Sequence, residues 1–252
     1  MLLSELFSSP KSVSLTWTGN AGWLIQYDNR CIAIDLDLMS ERLWQFPISV
    51  QELAQRLDFS IATHTHGDHF NIPTAKALID GGPCTLILPR SCADSAAEAG
   101  ITESRIIWAE PKNPFEPAPW LRLEPTRALH GHTFHSVFSE ANFDDCGYVV
   151  SMGGKRLYHT GDSVLLQDHF TIKNIDVLFV SPTEHNTHIE SSKTLIEAIN
   201  PSRVFAQHFG TYPVNEGNAY WTTGYEEPLR MSLSSKHRSR YTIPEAGKIY
   251  RL

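Results

Sequence analysis

The chain has no long apolar run, no basic stripe, no cysteine framework and no serine-nucleophile motif, and each absence removes a class of function. Its opening, MLLSELFSSPK, lacks a basic start, carries Glu5 early and holds no extended hydrophobic segment. Neither a secretion signal nor a membrane anchor is therefore expected, and a cytoplasmic location is the simplest expectation. Lys and Arg number 21 against 28 Asp and Glu, a net charge of -7, which argues against a phosphate backbone as the main partner. The densest cationic stretch, Lys236, His237, Arg238 and Arg240, reads as a solvated turn. Cys31, Cys84, Cys92 and Cys146 lie far apart without a C-x-x-C pair, so neither a zinc knuckle nor a disulfide framework is expected and the thiols should stay reduced. There is no G-x-S-x-G elbow and no glycine-rich phosphate loop. The expected partner is a small-molecule substrate, with no nucleic acid and no membrane, and homo-oligomerisation is left open.

What is present suits one globular α/β domain over residues 1–252, with 41% hydrophobic and 19% charged positions. Apolar and β-branched runs predict strands at 13–17, 23–27, 31–36 and 59–63. Ser49 with Glu52 forms a capping-box pattern ahead of VQELAQRL, predicting a helix from Val50 to Leu57. Further on, helices at 73–79 and 91–99 alternate with strands at 85–88 and 106–108. Strands follow again at 121–129, 148–152, 156–159, 177–180 and 204–207, with a helix over 190–199. The proline-dense stretch 111–119 reads as a loop, as do 37–47 and 210–228, whose Trp44, Tyr212, Tyr220 and Trp221 either line a pocket or merely pack. Two strand-rich halves, each followed by helices, predict a helix-sheet-sheet-helix layering.

The segment Thr63-His64-Thr65-His66-Gly67-Asp68-His69-Phe70 places three imidazoles and a carboxylate in six positions directly after an apolar strand. Solvated loops seldom concentrate such donors, whereas metal sites require them. His64 and His66, two apart, point the same way from an extended segment, and Gly67 lets the chain turn so that Asp68 and His69 face a second ion. Nitrogen and oxygen donors without thiolate favour Zn²⁺, with Mn²⁺ as the harder alternative.

This segment resembles the H-x-H-x-D-H signature of the metallo-β-lactamase superfamily, and later segments match its other motifs in order over about residues 13 to 211. Asp35 closes an early apolar strand, His130 follows Arg127-Ala128-Leu129, Asp162 ends Leu157-Tyr158-His159-Thr160-Gly161, and His208 follows Phe205-Ala206-Gln207. The resemblance implies an αββα sandwich with the metal site at one edge of the sheets. It implies two divalent ions, one held by His64, His66, His130 and Asp162, the other by Asp68, His69, Asp162 and His208. His132 and His135 stand close enough to His130 to be alternative third ligands. Within the superfamily the chain looks most like the branch of L-ascorbate-6-phosphate lactonase and the N-acyl-phosphatidylethanolamine phospholipase D enzymes, on Thr18-Gly19-Asn20-Ala21-Gly22-Trp23, the Leu157-to-Ser163 motif and the helix before His208. Asn20 departs from that pattern, standing where many relatives have histidine, as does Leu36 after Asp35 in place of proline. The implied activity is hydrolysis of a small lactone or phosphoester by a metal-bridged hydroxide, with Asp68 assisting as a base. His188, ahead of the late helix, either donates a proton or holds a phosphate oxygen, or simply starts the helix; His185 carries the weaker case. His159 and Ser163 are expected to support the site without binding metal. The competing expectations are an iron-dependent oxidoreductase of the same fold and a non-catalytic metal-binding sensor.

Overall fold

Apolar alternation and helical spacing produce two mixed sheets, each in its own compact unit: residues 1–109 with 245–252, and residues 110–244. The computed structural model describes residues 3–7, 11–130 and 142–252.

The first unit holds a seven-stranded sheet in which the C-terminal strand Ile249–Arg251 is followed in space by β1 (Ser14–Gly19), β2 (Gly22–Tyr27), β3 (Arg30–Ile34), β4 (Phe59–Ile61), β5 (Thr85–Pro89) and β6 (Ile106–Ala109). Pairing is antiparallel from the C-terminal strand to β3 and parallel from β3 to β6. The helices of this unit are α1 (Leu3–Leu6), α2 (Val50–Ala54), α3 (Ile72–Gly81) and α4 (Ala93–Glu98). Leu53 and Ala54 of α2 and Leu78 of α3 bury against Leu24 and Ala33 of the sheet, while Ala75, Ile79 and Ala96 join Leu86 and Leu88. The Ser49–Glu52 capping box forms as the sequence predicts, but α2 ends at Ala54 with Gln55 as its cap. The predicted helix at 91–99 opens instead with a 3₁₀ turn, Arg90–Cys92.

The second unit holds β7 (Phe115–Ala118), β8 (Leu121–Arg127), β9 (Cys146–Met152), β10 (Lys155–His159), β11 (Val177–Val180), β12 (Arg203–Ala206) and β13 (Tyr241–Thr242), laid side by side in that order. Here β7 to β10 pair antiparallel and β10 to β13 parallel. Its helices are α5 (His188–Ile199), α6 (Ala219–Thr222), α7 (Glu226–Ser232) and α8 (Ser235–Arg238). Ser192, Leu195, Ile196 and Ile199 give α5 its buried stripe, which meets Tyr158, Leu178, Val204 and Leu229.

Three sequence expectations are corrected in this unit. Residues 115–118 of the supposed loop form β7, which tolerates Pro117 because it lies at the edge of its sheet. The stretch 210–228 carries α6 and the start of α7. The cationic segment near the C-terminus forms α8, and His237 is buried there, its amide bonded to the cap Ser234. No described helix is long and apolar enough to cross a membrane.

Candidate metal centre

In the first unit, parallel pairing continues one step past the strands, since the Asp35 amide donates to the Ile61 carbonyl at 2.8 Å. This sets Asp35 beside the histidine segment. Thr63 donates to Asp35 twice, from its amide and from Oγ1, both at 2.8 Å. With its only proton given to Asp35, Thr63 Oγ1 accepts from His64 Nδ1 at 3.0 Å. His69 Nδ1 lies 2.7 Å from Asp35 Oδ2, and both side chains are fully buried. Each ring therefore carries its proton on Nδ1 and leaves Nε2 as a lone-pair donor, the usual means of preparing a metal-ligating imidazole. His69 Nε2 faces Asp68 Oδ2 at 3.4 Å, and Asn20 Nδ2 holds the same oxygen at 2.9 Å. The ring centroids of His64 and His66 lie 4.7 Å apart, and those of His64 and His69 4.1 Å. His66 stays exposed while His64 and His69 are buried. A tight turn, with the amides of His69 and Phe70 both donating to the His66 carbonyl, swings Asp68 and His69 past Gly67.

In the second unit, Asp162 follows β10 after Gly161, whose φ is 61°. Glycine at 147 on the neighbouring β9 is required, because a Cβ there would sit 2.8 Å from the Thr160 carbonyl and 2.9 Å from that of His159. Three ring nitrogens surround one oxygen, Asp162 Oδ2: His185 Nε2 at 2.7 Å, His208 Nε2 at 3.1 Å and His130 Nε2 at 3.6 Å. All four residues are buried. Donor atoms of His130, Asp162 and His185 lie within 4.8 Å of one another. His208 Nδ1 donates to the Trp221 carbonyl at 3.0 Å, which turns a lone pair on Nε2 toward the carboxylate. A lone pair against an anion in a buried site is unfavourable unless a cation stands with them, so this donor set fits a divalent ion.

His185 is the residue the sequence underrated. Its Nδ1 is buried with no hydrogen-bond partner among the described residues. The signal that could have found it is its place in the loop that follows β11, since Asp162 and His208 likewise lie in the loops after β10 and β12. His188 is exposed and begins α5 with φ 46°; its ring meets Tyr225 edge-on, with centroids 4.9 Å apart. Tyr225 in turn donates to Glu184, and that bond raises the phenol above its ordinary pKa. Five of the non-glycine residues with positive φ, Asn20, Asp35, His188, His208 and Tyr225, belong to these two clusters or brace them, which is where strained backbone collects in functional sites. Tyr220 and Trp221 gather at the rings of His185 and His208, with centroids 6.1 and 6.2 Å away. Trp44, in the first unit, packs on Trp17 instead. His159 Nδ1 accepts from the Gly161 amide and Ser163 Oγ from the Leu129 amide, so both shape the chain next to Asp162 and His130. His132 and His135 lie outside the described residues.

Two mixed sheets with flanking helices, carrying His and Asp donors just past their strand ends, define an α/β protein of the metallo-β-lactamase fold. Residues 34–209 match the family described as the beta-lactamase superfamily domain, and the chain belongs to that superfamily. A UPF0173 metal-dependent hydrolase of Desulforamulus reducens is 24% identical over 208 residues, covering 80% of this chain and 86% of that one. Among solved structures, Igni18, a metallo hydrolase of Ignicoccus hospitalis, superposes with a TM-score of 0.72 at 19% identity, covering 96% and 98% of the two chains. CmlA, a diiron β-hydroxylase of Streptomyces venezuelae, reaches a TM-score of 0.75 at 13% identity over 97% of this chain and 55% of that one. At these identities the structural likenesses establish the fold alone.

Proposed function

We propose that the chain is a metal-dependent hydrolase with two divalent ions, Zn²⁺ or Mn²⁺, acting on a small lactone or phosphoester. The observation that carries this reading is Asp162 Oδ2 ringed by His130, His185 and His208. The proposed ligands are His64, His66, His130 and Asp162 for one ion, and Asp68, His69, Asp162 and His208 for the other. When bound, such a pair lowers the pKa of water and polarises a carbonyl or phosphoryl oxygen. Asp35 and Thr63 fix the tautomers of His69 and His64, so that lone pairs are presented without rearrangement. Asn20 Nδ2 donates to Asp68 Oδ2 and orients this carboxylate as the base that takes a proton from attacking water. His188, aimed by its edge contact with Tyr225, donates a proton to the departing oxygen or holds a phosphate oxygen. The metal-dependent hydrolase of Desulforamulus reducens supports the reaction class.

The test is metal content and turnover together. Purified protein should contain about two divalent ions per chain, as a binuclear site requires, and hydrolyse bis-p-nitrophenyl phosphate or a simple lactone. Asp162→Ala should remove metal and activity together. His188→Ala should keep the metal and lower turnover by about 10²-fold or more, the usual worth of a positioned proton donor. No metal after reconstitution with Zn²⁺ and Mn²⁺ would reject the reading, and equal metal loss in both variants would reject the division of roles. Bound iron with thiol-dependent oxygen uptake would replace hydrolysis by oxidative chemistry.

A further inference from the structure

The second unit contains a cavity of about 390 Å³ that none of the candidate metal ligands lines. That volume lies within the range of small-molecule sites, about 300 to 1,000 Å³. Its charged lining consists of Lys112, Arg127, Arg156 and Lys173 against Glu124 and Asp168, an excess of two positive charges in a chain whose net charge is -7. The carboxylates are already engaged. Asp168 lies 2.7 Å from Lys112 and 3.6 Å from Arg127, and Glu124 lies 2.6 Å from Arg156. Lys112 and Arg156 respectively hold these two carboxyls below their ordinary pKa values, so both stay ionised and the excess persists at neutral pH. Lys173 is exposed and makes no ion pair among the described residues.

The position of Lys112 adds a separate observation. The Asn113 amide donates to the Glu110 carbonyl at 3.1 Å, closing a turn with Pro111 at its second position and Lys112, at φ 67°, at its third. Turn chemistry favours glycine or asparagine there. The Lys112 amide is also pinned to the Pro125 carbonyl at 2.8 Å. A lysine in a backbone region that disfavours it, lining a cavity with its ammonium held by Asp168, is the kind of local conflict that marks a functional position.

We propose that this cavity is a second small-molecule site, which takes a phosphorylated organic molecule. A phosphate monoester carries about two negative charges at neutral pH and three acceptor oxygens, matching the excess charge of the lining. The Arg127 guanidinium offers a planar fork for two of those oxygens, with Lys112 and Lys173 as point charges beside it. Pro125, Val149 and Ile172 supply apolar wall for the carbon portion.

Phenylphosphonate, a dianion that no hydrolase of esters can cleave, is the probe. It is titrated calorimetrically into the metal-loaded protein and into the same protein stripped by chelation. The expected result is one saturable site that survives chelation, weakens at least tenfold in the double variant Lys112→Ala/Lys173→Ala, and binds inorganic phosphate less tightly than phenylphosphonate. The double variant, which touches no proposed metal ligand, should keep the parent's circular dichroism and turnover. Absence of saturable binding, binding that chelation abolishes, or binding unchanged in the double variant would each overturn the site. Inorganic phosphate binding as tightly as phenylphosphonate would overturn its assignment to an organic ligand. Because the site is read without metal, its failure is distinct from failure of the hydrolase reading.

Discussion

At the scale of residues, Asp162 is the proposed metal-binding carboxylate of the second unit, and His185 Nε2 lies 2.7 Å from its Oδ2. Removing a hydrogen-bond partner of a metal-binding carboxylate commonly costs about 10- to 100-fold in metal affinity or activity. His185→Ala is therefore expected to weaken metal retention or turnover by that factor, measured by competition with a chelator and by initial rates; parental values in both would show that the contact has no role. His169 makes a separate prediction. Its Nδ1 accepts from the Leu166 amide and its Nε2 donates to the Arg127 carbonyl, a neutral tautomer, and burial lowers its pKa. Below the ordinary value of about 6.5 the unfolded chain takes up a proton that the folded ring resists. The stability this ring contributes is thus complete above that pH and is lost as the pH falls toward the lowered folded value. His169→Gln should lose less stability than the parent between pH 7 and pH 5 in urea unfolding, and parallel losses would refute the assignment.

At the scale of elements, the proposed metal ligands and their partners Asp35 and His185 follow strands: Asp35 after β3, the histidine segment after β4, His130 after β8, Asp162 after β10, His185 after β11 and His208 after β12. Parallel strands end side by side, which is why open α/β sheets place ligands beyond their carboxyl ends. The long periodic helices α3 and α5 were legible in the sequence because their apolar spacing repeats over several turns. The two short helices α6 and α7 were not, since seven residues or fewer carry too little periodicity and their helicity comes from packing. Strand β7 escaped notice because Pro117 and the prolines flanking it resemble loop chemistry, and an edge position excuses Pro117. The capping box of α2 was fully legible, being a local pattern. Ser49→Ala removes it and should lower unfolding free energy by about 1 kcal/mol, read as a shift in denaturant midpoint; an unchanged midpoint would mean that packing of Leu53 alone holds the helix.

At the scale of the whole molecule, ions held by the folded chain and not by the unfolded one raise apparent stability by mass action, about 4 kcal/mol at a thousandfold excess over Kd. Chelation should accordingly lower the Tm by several degrees, and readdition of Zn²⁺ or Mn²⁺ should restore it in calorimetry; a Tm indifferent to chelator would count against resident metal. The sequence alone determined the donor types and their order along the chain, because metal chemistry demands imidazole and carboxylate and because His64 to His69 sit within one short segment that no folding step can separate. It also determined the fold class, since strand and helix periods are local. Only the tertiary structure decided which side chains fix those donors. Asp35 meets His69 across 34 positions and His185 meets Asp162 across 23, while Lys112 meets Asp168 across a loop and several strands. Contacts of that separation are set by strand register and turn geometry, and no spacing rule along the chain encodes them.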